Sequence, residues 1–520
     1  MTDRTTLADI IRTTAKNTPD APAIVGEGRS VTHGELSRRS DALGAGLVAS
    51  GLEVGDRVAY LARNATEYWE LFFAAAKAGL VVVPLNFRLS ADEVAWILGD
   101  AEPAAIIAED HLAHLVPGSF SGPRLSFSQS GEPQVPDGWQ GYEEWLATMP
   151  AVDPQRGVEG DALFSLMYSS GTTGRPKGVT TTVAGFLWAV EAFGAQFDVS
   201  SSSVSLVPTP YYHIAAGGWS LIALAAGGSI VQFTEVTPQN MLGLMVGHRA
   251  THVIMVPTVM QLFITSPEAS QADYSSVEWV VYGGSPISET VMVGAKKVFG
   301  AELAQSYGLT ETIGVTTILG AGDHVVGESA KLRSAGRAVP GVEVAVFDPE
   351  TGEECATGVV GEVVTRGPGV TKAYWRRPEE TEASYWPGGW FRTGDAGYLD
   401  EDGYLFLKDR IKDLLMSGGE NIYPAEVENA IMTHPDVQEV AVIGIPSEKW
   451  GETPHAVVVA KPGTTIDGDA LIAHTRERLA HYKCPTSVTV VDALPRNPSG
   501  KVLKRELRAP WWAGHERSIG

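Results

Sequence analysis

The chain has 520 residues, 44% of them hydrophobic and 19% charged, enough for a large core in two big domains or roughly three to four ordinary ones. Asp and Glu total 62 against 39 Lys and Arg, and the formal net charge of -23 sets aside nucleic acid and anionic membranes as general partners. Cysteine is limited to Cys355 and Cys484 without CxxC spacing, so neither a disulfide framework nor a zinc site is expected.

The start, Met1-Thr2-Asp3-Arg4-Thr5-Thr6, carries no apolar leader and reads as cytoplasmic. Thr32-His33-Gly34-Glu35 predicts a capped helix whose Leu36, Leu43 and Leu47 share one face until Gly51 ends it. Ser90-Ala91-Asp92-Glu93 repeats the signal for a helix ending near Asp100. Apolar runs at 80–84, 105–108, 204–207, 253–256 and 277–282 predict strands buried on both faces, and hence an α/β class. The stretch 117–154 is rich in Pro, Gly and Ser and is expected to be a surface excursion. The charge-free run 214–233 is long enough for a membrane span, but Gly217-Gly218 and Gly227-Gly228 divide it. A core helix at 219–226 and a strand at 229–233 are expected instead, with no transmembrane segment. After a boundary near Asp409 to Lys412, a helix at 424–433, strands at 437–445 and 456–460, a helix at 468–481 and a strand at 487–491 predict a small α+β domain. The expected division is 1–411 and 412–520.

The richest stretch is Tyr168-Ser169-Ser170-Gly171-Thr172-Thr173-Gly174-Arg175-Pro176-Lys177-Gly178. Its glycines let backbone N–H groups approach oxygens, its hydroxyls add donors, and Arg175 and Lys177 neutralise charge, as a loop around a polyanion requires. Neither the P-loop pattern nor Gly-x-Gly-x-x-Gly can be laid on it. Further signals follow in order: Pro210-Tyr211-Tyr212-His213, Tyr307-Gly308-Leu309-Thr310-Glu311-Thr312, and Trp390-Phe391-Arg392-Thr393-Gly394-Asp395. Then come Asp409-Arg410-Ile411-Lys412-Asp413 with Ser417-Gly418-Gly419, and finally Pro495-Arg496-Asn497-Pro498-Ser499-Gly500-Lys501.

This ordered set resembles the adenylate-forming (ANL) superfamily of acyl-CoA synthetases, nonribosomal adenylation domains and beetle luciferases, and within it a fatty-acyl-CoA ligase. The resemblance implies a large multi-layered N-terminal domain and a small mobile C-terminal one. It implies that a carboxylate attacks the α-phosphorus of ATP, giving acyl-adenylate and pyrophosphate, and that CoA then displaces AMP. By that resemblance Ser169, Ser170, Gly171, Thr172, Thr173, Gly174 and Lys177 hold the departing phosphates, and Glu311 helps hold Mg²⁺. Gly283, Gly284 and Ser285, with Tyr307, Gly308 and Thr310, border the nucleotide, and Asp395 beside Arg410 accepts from the ribose hydroxyls. Lys501, His213, Thr310 and Glu311 are the implied catalytic set, Lys412 the hinge, and Gly418 and Gly419 the CoA tunnel.

The acyl pocket is expected at Tyr212, His213, Ala216, Gly217, Trp219, Gly283, Ile313 and Gly314. The stretches holding them, 212–219, 281–285 and 313–318, contain no Asp, Glu, Lys or Arg, so the acid's tail is expected to be uncharged. A medium- or long-chain fatty acid is the first reading. Aryl or alicyclic acids, and an amine acceptor in place of CoA, stay open, as does a homodimer.

Overall fold

The computed structural model describes residues 4–131, 134–169, 176–234, 237–284, 287, 289–324, 330–417, 420–447, 449–496 and 502–513. They form two compact units: Met1–Val344 with Thr365–Phe391 and Gly403–Leu405, and Ala345–Val364 with Arg392–Asp402 and Phe406–Gly520.

The first unit is built on two largely parallel sheets. In the seven-stranded sheet, Arg57–Leu61 lies between Val81–Leu85 and Ala105–Glu109, all parallel, with Val58 opposite both Val82 and Ala105. Val81–Leu85 is buried at every position, as a strand covered by helices on both faces must be. The nine-stranded sheet runs from the antiparallel edge Arg337–Ala338 through Thr317–Leu319, Glu302–Tyr307, Trp279–Gly283, His252–Met255, Val204–Leu206 and Ser229–Gln232 to Pro22–Gly26 and Val31–Thr32.

Helices cover these sheets where the capping signals place them. Thr32 Oγ1 accepts from Glu35 N–H at the start of His33–Ala49, and Leu36, Leu43 and Leu47 are fully buried. Ser90 and Glu93 form a reciprocal capping box at Ala91–Ala101. The apolar run after His213 is the helix Ile214–Ala225 followed by the strand Ser229–Gln232. Among the described residues no helix is long and apolar enough to cross a membrane.

The stretch 117–154 departs from the surface excursion expected of it. Arg124–Phe127 adds a parallel strand beside Ala105–Glu109, and Tyr142–Ala147 is a short helix with Tyr142 and Leu146 buried. Its apolar anchors, among them Leu125, Phe127, Tyr142 and Leu146, are too widely spaced among Pro, Gly and Ser to reveal a period.

The second unit contains a five-stranded sheet in which Gly451–Ala460 pairs antiparallel with Val437–Ser447 and parallel with Ser487–Val490. Pro424–Met432 and Gly468–Arg476 supply its helices, and Val427, Ile431 and Leu471 are fully buried against it. The α/β class therefore stands, with a large N-terminal part and a small α+β C-terminal part.

Candidate active site

Two of the implied nucleotide segments, Gly283–Gly284 and Tyr307–Thr312, meet at the carboxyl ends of neighbouring strands of the nine-stranded sheet, where open parallel sheets bind ligands. Gly283 ends one strand and faces Ser306, next to Tyr307 at the end of the adjoining one. A Cβ on Gly283 would stand 2.3 Å from the Ser306 carbonyl, and Gly284 turns away at φ +78°. Gly308 is confined similarly: a Cβ there would meet the Gly314 carbonyl carbon at 2.4 Å.

Between these two glycines the chain makes one 3₁₀ turn, Thr310–Thr312. Thr312 Oγ1 accepts from Leu309 N–H at 2.9 Å, and Gly314 N–H returns to Leu309 O at 2.8 Å. The turn leaves Ile313 at φ +52°, unfavourable for a β-branched side chain by about 1–3 kcal/mol. Strain of that kind persists only where the surroundings hold it, and here it presents Glu311.

Glu311 is half-buried and held from two sides. Its carbonyl accepts from Thr371 N–H at 2.7 Å, and its carboxylate accepts from the Tyr374 hydroxyl at 3.0 Å. Among the described residues no ion pair neutralises it. Burial, and then the Glu311 charge, raise the Tyr374 hydroxyl above its ordinary range and push Tyr385 up to about 12. The local field is thus negative and suited to a cation. Among the described residues no three His, Cys, Asp or Glu side chains cluster as a metal cage. A single carboxylate fits Mg²⁺, which takes one or two carboxylates and completes its shell with phosphate and water.

The loop signal begins in an antiparallel hairpin in which Ser169 lies opposite Lys177. The Lys177 ammonium pairs with Glu380 and lies 5.3 Å from the Tyr374 ring centroid. Lys177, Glu380, Tyr374 and Glu311 thus form one connected group. Ser170, Gly171, Thr172, Thr173, Gly174, Ser285, Gly418, Gly419 and Lys501 lie outside the described residues, and for Lys412 only the backbone, in the turn Ile411–Asp413, is described.

The Tyr212–His213 pair opens the helix Ile214–Ala225, with ring centroids 4.4 Å apart and Phe87 at 5.8 Å from Tyr212. Ile214 lies near Gly314, whose Cβ position is 3.5 Å from Ile214 Cγ2. Ala216 is fully buried, and Gly217 faces Tyr68 and Tyr211. The Trp219 ring sits in an aromatic core with Phe197 at 5.3 Å and Phe193 at 6.4 Å. A Cβ on Gly218, by contrast, would meet nothing within 4 Å.

In the second unit Arg410 Nε meets Asp395 Oδ1 at 2.7 Å, and Asp395 N–H donates to Thr393 Oγ1. Asp409 accepts from Arg410 N–H and from Ala425 N–H, both at 2.7 Å, and so holds the boundary segment to the first turn of Pro424–Met432.

Three residues escaped the sequence reading. Tyr374 and Glu380 orient Glu311 and Lys177 from a segment with no motif of its own. Asn64 clamps the loop before His213: its Nδ2 donates to Thr209 O at 3.0 Å and its Oδ1 accepts from Tyr211 N–H at 2.8 Å. The one available signal for Asn64 was its place in Arg63-Asn64-Ala65 between a strand and a helix.

Comparison with known proteins agrees with this arrangement. Residues 11–375 match the AMP-binding enzyme family, and residues 426–501 match its C-terminal domain. The chain is 37% identical to the fatty acid–[acyl-carrier-protein] ligase ScoC of Streptomyces coeruleorubidus, over 99% of this chain and 98% of that one. It is 39% identical to a feruloyl-CoA synthase of an Amycolatopsis species, over 95% and 96%. Its fold superposes on ATP-bound MatB from Rhodopseudomonas palustris with a TM-score of 0.87 at 31% identity, over 97% and 99% of the two chains. With the site's geometry and both family regions in agreement, the chain belongs to the AMP-binding family of adenylate-forming acid–thiol ligases.

Proposed function

We propose that this protein is an ATP-dependent acyl-CoA ligase that activates a medium- or long-chain fatty acid through its acyl-adenylate, in the cytoplasm. The observation that carries the reading is Glu311, a carboxylate oriented by a neutral hydroxyl, with no ion pair among the described residues, in one connected group with Lys177. Such a group suits a Mg²⁺–polyphosphate better than a structural ion pair. Mg²⁺, when bound, supplies charge neutralisation on the phosphates.

In this reading Lys177 releases Glu380 and pairs with a phosphate oxygen, while Ser169 and the loop after it add donors to the departing pyrophosphate. Gly283, Gly284, Tyr307, Gly308 and Thr310 give the nucleotide a backbone surface without side-chain obstruction. Asp395, aligned by Arg410, accepts from the ribose hydroxyls. Lys501 stabilises charge on the oxygens joining acid and phosphorus as the new bond forms. The charge-free segments around Tyr212, His213, Gly218 and Gly314 favour an uncharged tail. A turn of the C-terminal domain at Lys412 would then bring the Gly418–Gly419 segment to the thiol step.

The acceptor admits a second reading. Similarity to ScoC, a ligase for an acyl-carrier protein, supports a protein-bound thiol in place of CoA, and similarity to a feruloyl-CoA synthase supports an aryl tail.

The test separates the half-reactions. Lys501→Ala is expected to abolish acid-dependent exchange of labelled pyrophosphate into ATP while leaving thioester formation from supplied acyl-adenylate largely intact. Equal loss of both would overturn the assignment. Competition among alkyl, alicyclic and aryl acids, with CoA and carrier protein as alternative acceptors, identifies the substrate pair.

A further inference from the structure

We propose that Asp100 is a positioning residue for the polyphosphate end of the nucleotide, fixing the spacing between the strand that carries Ser169 and the segment that carries Tyr374 and Glu380. Such a role deepens the ligase reading, in which Lys177 pairs with phosphate. Asp100 lies in the last turn of the helix Ala91–Ala101, and its side chain is 10% exposed. A carboxylate there stands against the helix dipole, so its partners rather than its own helix hold it.

All three oxygens of Asp100 are engaged by those two segments. Oδ2 accepts from the Tyr168 hydroxyl at 2.7 Å, Oδ1 from the Arg377 guanidinium at 2.6 Å, and the backbone carbonyl from Trp375 Nε1 at 3.1 Å. Burial, and then the bond to Asp100, raise the Tyr168 hydroxyl above its ordinary range, so it stays a donor. Trp375 and Arg377 reach one residue together because Arg376 between them lies at φ +54°. A non-glycine residue rarely adopts that conformation, and it persists only where the surroundings hold it. Trp96, one turn earlier on the same helix, closes the cluster. Its ring meets Tyr168 edge-on with centroids 6.2 Å apart, and the Arg377 guanidinium lies 5.9 Å from it.

Both segments run directly into the group around Lys177. Tyr168 lies opposite Gly178 in the hairpin and precedes Ser169, which lies opposite Lys177. Trp375 N–H donates to Gly178 O at 2.7 Å, and Tyr374 pairs with Val179 in an isolated antiparallel bridge. Tyr374 N–H donates to Thr381 Oγ1 at 3.0 Å, and Thr381 follows Glu380 on the helix Pro378–Ala383. The Lys177 ammonium pairs with Glu380 and lies 5.3 Å from the Tyr374 ring centroid, so it spans the two segments that Asp100 joins. Releasing either segment shifts Lys177 relative to Glu311, and a misplacement of about 1 Å is enough to be felt at a reacting centre. Asp100 acts only through Tyr168 and the segment 375–377, and holds no ligand itself.

The test is isothermal titration of the whole protein, with Mg²⁺ and without any carboxylic acid, against ATP, pyrophosphate and AMP. AMP lacks the two phosphates assigned to Lys177. Asp100→Ala is expected to weaken ATP and pyrophosphate about tenfold, the worth of one hydrogen bond to a charged group, and to leave AMP within about twofold. Tyr168→Phe removes a single hydroxyl and should weaken the same two ligands about threefold, adding nothing in the Asp100→Ala background. If Asp100→Ala does not fold, Tyr168→Phe decides alone. Loss of AMP binding in step with ATP would mean a general structural role, and unchanged ATP and pyrophosphate binding would mean that Asp100 merely joins elements. Either result overturns the proposal. Wild-type protein that binds neither ATP nor pyrophosphate would overturn the ligase reading, and the role of Asp100 with it.

Discussion

Two acidic centres in the first unit use their carboxylates in opposite ways. Glu70 is fully buried and held by Arg29, by Arg39 Nε at 2.7 Å and by the Tyr142 hydroxyl at 2.6 Å, so its charge is neutralised where it stands. Among the described residues Glu311 is half-buried and held by backbone and by one neutral phenol, which fixes its direction without cancelling its charge. A carboxylate surrounded by cations joins elements together. One aimed by a hydroxyl remains available to a metal ion or a ligand.

Exchanging the two carboxylates for amides separates these roles. Glu70→Gln removes the buried charge that Arg29 and Arg39 share, leaving them the more exposed Glu143, and should lower unfolding free energy by about 3–5 kcal/mol in urea titrations, with activity per folded molecule preserved. Glu311→Gln should do the reverse. Pyrophosphate exchange should fall roughly 10²–10³-fold while stability changes by less than about 0.5 kcal/mol. If Glu311→Gln unfolds the protein, or Glu70→Gln selectively removes activity, the contrast fails.

A pH series sharpens the first centre. Folding raises Glu67 above its ordinary value, so the native chain keeps a proton that the unfolded chain has already lost. Stability from this group is therefore greatest in acid and declines as pH rises from 4.5 to about 7. The decline should amount to roughly 1–3 kcal/mol at ~1.4 kcal/mol per pH unit and vanish in Glu67→Gln, measured by the difference between the two chains' urea midpoints. The smallest effect is expected at the second centre: Tyr374→Phe should cost about 1 kcal/mol, seen as a few-fold rise in the Mg²⁺ needed for half-maximal exchange with little loss at saturation.

The chain made some of this easy to read. Thr32 and Ser90 announce helices because a cap is a local event, settled within four residues. The strands at 81–85 and 105–109 are apolar throughout but for the final Glu109, because both of their faces are covered. The turn carrying Glu311 was visible through its glycine and threonines. What holds it was hidden, because Tyr374 lies 63 positions away and reaches Glu311 only through the fold. The same is true of Asn64, whose clamp on Thr209 and Tyr211 spans more than 140 positions. The helix and strand within 117–154 were missed for a different reason, since their few anchors pack against a sheet that already exists.

The pairing of Lys177 with Glu380 has a consequence for nucleotide entry. The lysine has an intramolecular occupant, so in the proposed reaction an arriving phosphate would compete with it rather than meet a bare cation. Stray single anions gain little from such an exchange, whereas a triphosphate offering several oxygens at once can displace the occupant. In that reaction the contact would act as a threshold that favours polyvalent ligands, and Glu380 would take the lysine back once pyrophosphate departs.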